Sequence, residues 1–100
     1  MSISEIELKD ATAQNVGATD TDLTVDLVDG RTITVPLNWF PRLAAGTTVE
    51  RENWRLIASG RGIHWPDLDE DISVESLLAG RKSGETQASL GRWLQERRSR

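Results

Sequence analysis

Between His64 and Asp71 the chain gathers its only histidine, Trp65 and four carboxylates, Asp67, Asp69, Glu70 and Asp71. Imidazole and carboxylate at this density can hold a metal ion or move a proton on a substrate. Asp67, Asp69 and Asp71 have the i, i+2, i+4 spacing that opens an EF-hand calcium loop. The sixth loop position, which needs Gly for its sharp turn, is however Ile72, and the twelfth, which needs a bidentate Glu, is Leu78. The calcium loop is excluded. Zinc would have to take His64 with Asp67 and Glu70, without a second histidine or any cysteine, and no zinc spacing has that form. No metal and no other cofactor is expected.

Proton transfer by His64 and a carboxylate would suit a small hydrolase. That chemistry needs a nucleophile to activate, and neither a Ser-His-Asp arrangement nor a nucleophile-elbow motif is present. A domain this small also has little space for a deep pocket. The hydrolase reading ranks last, no catalytic residue is assigned, and His64 reads as a half-buried structural residue. Gly60-Arg61-Gly62 lacks the Gly-Lys-Ser/Thr continuation of a phosphate loop, so the glycines read as turn punctuation.

A helix start accounts for many of the same letters. With Ser73 as N-cap, Ile72 and Leu77 take the N′ and N4 places of a hydrophobic staple, and Gly80 falls just past the last turn. Asp69, Glu70, Asp71 and Glu75 then cluster near the positive end of that helix, where carboxylates are favoured by about 0.3 to 1 kcal/mol each. One cap would suffice, so three carboxylates in a row are in excess. They read as a surface for a basic partner.

The elements upstream are β-rich. The run TDLTVDLVDGRTITVPL alternates apolar and polar residues on both sides of Asp29-Gly30, which signals a hairpin. A two-residue Asp-Gly loop would set Leu27 opposite Thr32, mixing apolar and polar side chains on one face. A three-residue loop, Val28-Asp29-Gly30, with Gly30 left-handed, instead pairs Val25 with Ile33 and Leu23 with Val35. An earlier strand across Ala11 to Ala18, turning through TDTD, completes a meander. After Pro36 the period changes: NWFPRLAAG predicts one short helix stopped by Gly46. Thr47 and Glu50 have capping-box spacing for a further turn through Asn53, and WRLIAS predicts a strand with Trp54, Leu56 and Ala58 on one face. The segment from Gly62 to Ile72 is expected to be a loop locked by Trp65 and Ile72.

Composition limits what this assembly can do. One hundred residues, 37% hydrophobic and 28% charged, fit one small domain with an economical core. Four of the five aromatics are Trp; Trp39, Trp54 and Trp65 lie in segments that need large anchors, whereas Trp93 sits among Arg92, Arg97 and Arg98 and is expected to stay exposed until a partner covers it. Residues 1–80 carry six basic and fourteen acidic side chains, and residues 81–100 six basic and two acidic. An acidic body is a poor surface for phosphates, so any nucleic-acid contact is left to the tail through Arg92, Trp93, Arg97 and Arg98. The chain has no cysteine, no run of apolar residues long enough to span a membrane, and at its start neither the basic residues nor the apolar run of an export signal. A soluble cytoplasmic protein is expected. Residues 1–80 read as one α+β domain, a three- to four-stranded antiparallel meander with short helices on one face. Residues 81–100 read as a basic appendage, helical around Leu90, Trp93 and Leu94, weakened by Gly91 and frayed at its end.

The series DGRTITVPL, WFPRL and ENWRLIASGRGIHWPDLDEDISVESLLAG resembles the bacterial domain-of-unknown-function family 2442, over residues 10 to 80. The resemblance implies a small α+β domain in a bacterial cytoplasm and no established activity. Members occur alone and joined to a helix-turn-helix domain, and some are assigned to toxin-antitoxin pairs. The tail here is too short for a complete helix-turn-helix. Residues and resemblance together point to a non-enzymatic interaction or regulatory module, antitoxin-like, in which Arg42, His64, Trp65, Asp67, Asp69, Glu70 and Asp71 face a protein partner. The alternative is a nucleic-acid-binding accessory protein that uses the tail, and the small core is compatible with a homodimer.

Overall fold

The computed structural model describes residues 10–99; the first nine residues of the expected domain and Arg100 of the tail lie outside the described residues. The fold is α+β, with two three-stranded antiparallel sheets, short helices and a C-terminal helix. Strands β1 (Ala13–Ala18), β2 (Asp22–Leu27) and β3 (Thr32–Pro36) form the first sheet in that order. Leu23 stands opposite Val35 and Val25 opposite Ile33, the register of the three-residue turn. Leu27 N–H donates to Arg31 O at 2.8 Å and Gly30 N–H to Leu27 O at 3.0 Å, with Gly30 at φ +97°. Any other residue there would strain the left-handed backbone. Leu23, Val25 and Leu27 are buried on one face, as the alternation requires.

The expected helix after Pro36 is broken in two, a 3-10 turn over Leu37–Trp39 and α1 over Pro41–Ala44. Phe40 between them is extended, at φ −126° and ψ 88°, because a residue that precedes proline is kept out of the helical region. The capping box is present at α2 (Thr48–Glu52): Thr47 Oγ1 accepts from Glu50 N–H at 3.1 Å and Glu50 Oε1 from Thr47 N–H at 2.9 Å.

The second sheet was not foreseen. Strands β4 (Arg55–Ile57), β5 (Gly62–Trp65) and β6 (Glu70–Ser73) form a second meander, so the segment expected as a loop is a hairpin. Strand β4 is shorter than expected, since Trp54 precedes it and Ala58 and Ser59, at φ 52° and 58°, turn the chain away. The β5–β6 turn closes with Leu68 N–H donating to Trp65 O at 3.2 Å and Asp69 at φ 50°, a conformation Asp tolerates better than most residues.

Helix α3 (Val74–Leu78) begins at Ser73, whose hydroxyl accepts from Ser76 N–H at 3.0 Å. It ends as a Schellman motif: Gly80, at φ +71°, donates to Leu77 O at 3.1 Å and Arg81 to Ser76 O at 3.0 Å. Its first turn carries only Glu75 as an acid; Asp69, Glu70 and Asp71 belong to the turn and to β6, which corrects their assignment to the helix end. Helix α4 (Gln87–Arg98) starts at Thr86 and lies on the body. The inner faces of both sheets and the helices share one apolar cluster, in which Trp65, Leu23, Leu27, Leu43, Ile63 and Leu68 are wholly buried. Among the described residues no helix is long and apolar enough to cross a membrane.

Candidate interaction site

The pleat of β6 sorts the excess carboxylates. Successive side chains of a strand point to opposite faces, so Glu70, opposite Trp65, shares the inner side with Ile72, while Asp71, opposite His64, points outward. Asp69 sits in the turn with its side chain 86% exposed, and Asp67 accepts from Asn53 Nδ2 at 2.9 Å. The four acids therefore do not form one surface. Trp65, expected on a partner-facing surface, is completely buried, and its indole N–H donates to Arg51 O at 3.0 Å.

Arg42 joins what the chain separates. From α1 it donates through Nε to Glu85 Oε1 at 2.5 Å and through Nη1 to Asp69 O at 3.0 Å, and its guanidinium lies 5.2 Å from the centre of the Trp93 ring. One side chain thus ties the β5–β6 turn, the linker and α4 together. Arg97 adds a second cation over the same indole at 4.7 Å, and its fork meets Glu50, Nη2 to Oε1 at 2.8 Å and Nη1 to Oε2 at 3.1 Å. Trp93 is only 7% exposed, which corrects the expectation that it would wait uncovered for a partner. Its face is not available for stacking on bases while α4 is docked. Arg92 and Arg98 stay exposed.

The electrostatics follow the contacts. The Arg97 fork, aided by Thr47 N–H, lowers the Glu50 carboxyl to about 2. The Arg42 hydrogen bond holds Glu85 below the usual carboxylate range, and Glu85 in turn raises Arg42. Glu70 is the opposite case. Burial raises its carboxyl to about 7, against the pull of Arg42 and of the Asp71 backbone N–H and with a push from the charges of Glu85 and Asp71. Beside it lies a cavity of about 190 Å³, lined by Phe40 and Glu70 on the body and by Arg81, Lys82, Ser83 and Gly84 of the linker. Ser83 N–H pins that linker to Trp39 O at 3.0 Å. Glu85 escaped the sequence reading altogether, and Glu50 was recognised only as half of a capping box. The one signal for Glu85 was its place directly before the α4 N-cap, Thr86.

On the outer face of the second sheet, His64 lies between Arg55 and Asp71 across three strands, and its Nδ1 is hydrogen-bonded to Asp71 Oδ1. An open groove of about 670 Å³ runs beside the pair, past Ile57, Gly62 and Ser73. Gly62 packs closely there, since a Cβ would come within 2.9 Å of Ile57 Cγ1 and that side chain would have to shift. Among the described residues no hydroxyl is bonded to His64, and Ser73 is spent on the α3 cap and on Ser76 Oγ at 2.7 Å. Among the described residues no cluster of His, Cys, Asp and Glu is arranged to hold a metal ion.

Two solved structures share the fold. A crystal structure of a protein of unknown function from Rhodospirillum rubrum matches with a TM-score of 0.65 and 26% identity, over 79% of this chain and 95% of that one. A solution structure of an uncharacterised protein from Chromobacterium violaceum matches with a TM-score of 0.66 and 18% identity, over 87% of this chain and 80% of that one. No curated protein matches the chain. The family model for proteins of unknown function DUF2442 matches residues 13–83, which takes in both sheets, Arg42, Glu50 and the acidic hairpin and stops before α4. The chain therefore belongs to the DUF2442 family.

Proposed function

We propose that the protein is a non-enzymatic interaction and regulatory module of the cytoplasm, antitoxin-like in acting on a partner by occupying it. The observation that carries this reading is the seat under α4. Arg42, Glu50 and the backbone carbonyl of Asp67 belong to the family-matched body and together receive a tryptophan and an arginine from a helix that does not. A body with fourteen acidic and six basic side chains already binds a basic, Trp-bearing helix in cis. A partner helix of the same chemistry would use the same contacts in trans, with the indole as anchor and the paired charges fixing its register.

The test uses the full chain. Trp93→Ala combined with Arg97→Glu releases α4 and opens the seat. A synthetic peptide of residues 85–100 should bind this variant and not the wild type, and proteins co-purified from the native host should include a partner enriched by the variant and lost on adding Glu50→Lys. A variant that binds neither peptide nor partner overturns the reading.

A further inference from the structure

Glu70 is the carboxylate of β6 that faces inward, at the edge of the core and beneath the linker that leads to α4. Two features of its placement couple it to that helix. Residues 81–84 form the outer wall of its cavity, and Glu85, the next residue, holds the Arg42 guanidinium that also attracts Glu70. Lifting α4 would remove the negative charge of Glu85 and, once the Ser83 bond to Trp39 O gives way, draw the linker off and return water to Glu70. We infer that docking of α4 is proton-linked through Glu70, so that the seat is held shut while this carboxyl is protonated and loosens as it ionises. The inference rests on reading the seat as the interaction surface and supplies its regulation.

The charges that face Glu70 are Arg42 from α1, Asp71 from its own strand and Glu85 from the linker; Arg81 and Lys82 line the same cavity, and Asp69 acts through Arg42. Burial is the largest influence, and the carboxyl titrates at about 7 in the docked state. A carboxyl released into water returns to about 4.3. Its value is thus higher when α4 is docked, so docking takes up a proton. The docked state has its full advantage below the free value and loses it as pH rises through the docked one, by up to about tenfold in the equilibrium per pH unit. Because water reaches part of the site and screens it, a total change of about tenfold between pH 5 and 8 is expected.

Amide hydrogen exchange along α4 reads this equilibrium in the full chain without any partner. Protection factors of α4, corrected for the intrinsic pH dependence of exchange, should fall about tenfold from pH 5 to 8 in the wild type. They should stay flat in Glu70→Gln, which keeps shape and removes the proton. Glu85→Gln should move the fall to lower pH. His64→Gln, on the outer face, should leave it in place. A flat wild type, a fall that survives in Glu70→Gln, or one abolished by His64→Gln would each overturn the proton link. The peptide and co-purification results would stand in all three cases, so failure of the latch is distinguishable from failure of the seat.

Discussion

Arg97 meets Glu50 fork to fork, with both terminal guanidinium nitrogens on both carboxylate oxygens at 2.8 and 3.1 Å, and so closes α4 onto the residue that also caps α2. A single carboxylate therefore joins a local motif to a contact 47 residues away in the chain. Bidentate arginine pairs of this geometry are stronger than ordinary surface ion pairs.

Glu50→Gln separates the two tasks, because Gln can still close the capping box but cannot pair with a cation. It should cost about 1 kcal/mol in urea unfolding at pH 7. The Glu50 carboxyl is lowered from 4.5 to about 2 in the fold. Its contribution is thus complete above pH 4.5 and is lost as pH falls toward 2. The variant should show a flatter acid limb than wild type across that window.

Trp93→Ala should remove the anchor of α4. A helix of 12 residues that contains Gly91 does not persist in water without packing. Far-ultraviolet circular dichroism should lose helix while the sheet signals and the amide spectrum of residues 13–79 persist. Concerted unfolding of the whole chain would instead show that α4 and the body unfold as one cooperative unit.

Trp65→Phe keeps an aromatic in the centre and deletes the N–H bonded to Arg51 O. The vacated space and the unsatisfied carbonyl should together cost about 2 to 4 kcal/mol. Thermal unfolding checks this, and a loss under 1 kcal/mol would mean that water replaces the bond.

Gly46→Ala tests a tight approach rather than a turn. A Cβ there would lie 2.9 Å from both methyl carbons of Leu68, which is fully buried and has nowhere to move without repacking the β5–β6 turn. The expected loss is about 1 to 3 kcal/mol. Pairing it with Leu68→Ala should recover part of that loss, a coupling that a double-mutant cycle measures.

Much of the fold was legible because it is local. Gly30 and the alternation around it set the first hairpin, Thr47 and Glu50 their capping box, and Ser73 with Gly80 the two ends of α3; each signal acts within a few residues. The second sheet was concealed for the same reason. Its strands are three or four residues long, and Pro66 and the acids cut off the alternation of Ile63 and Trp65 before Ile72 could extend it.

The sequence by itself determined the family, the α+β class, the capped ends and the charge contrast between an acidic body and a basic tail. Only the tertiary structure decided which carboxylate faces which environment, that Trp65 is wholly buried, and that Trp93 is covered by the chain's own body. The physical reason is distance. A pleat assigns Asp69, Glu70 and Asp71 to three surroundings only once β6 has paired with β5, and Arg42 reaches Glu85, 43 residues away, only after the core has packed and left an indole-sized seat beside it.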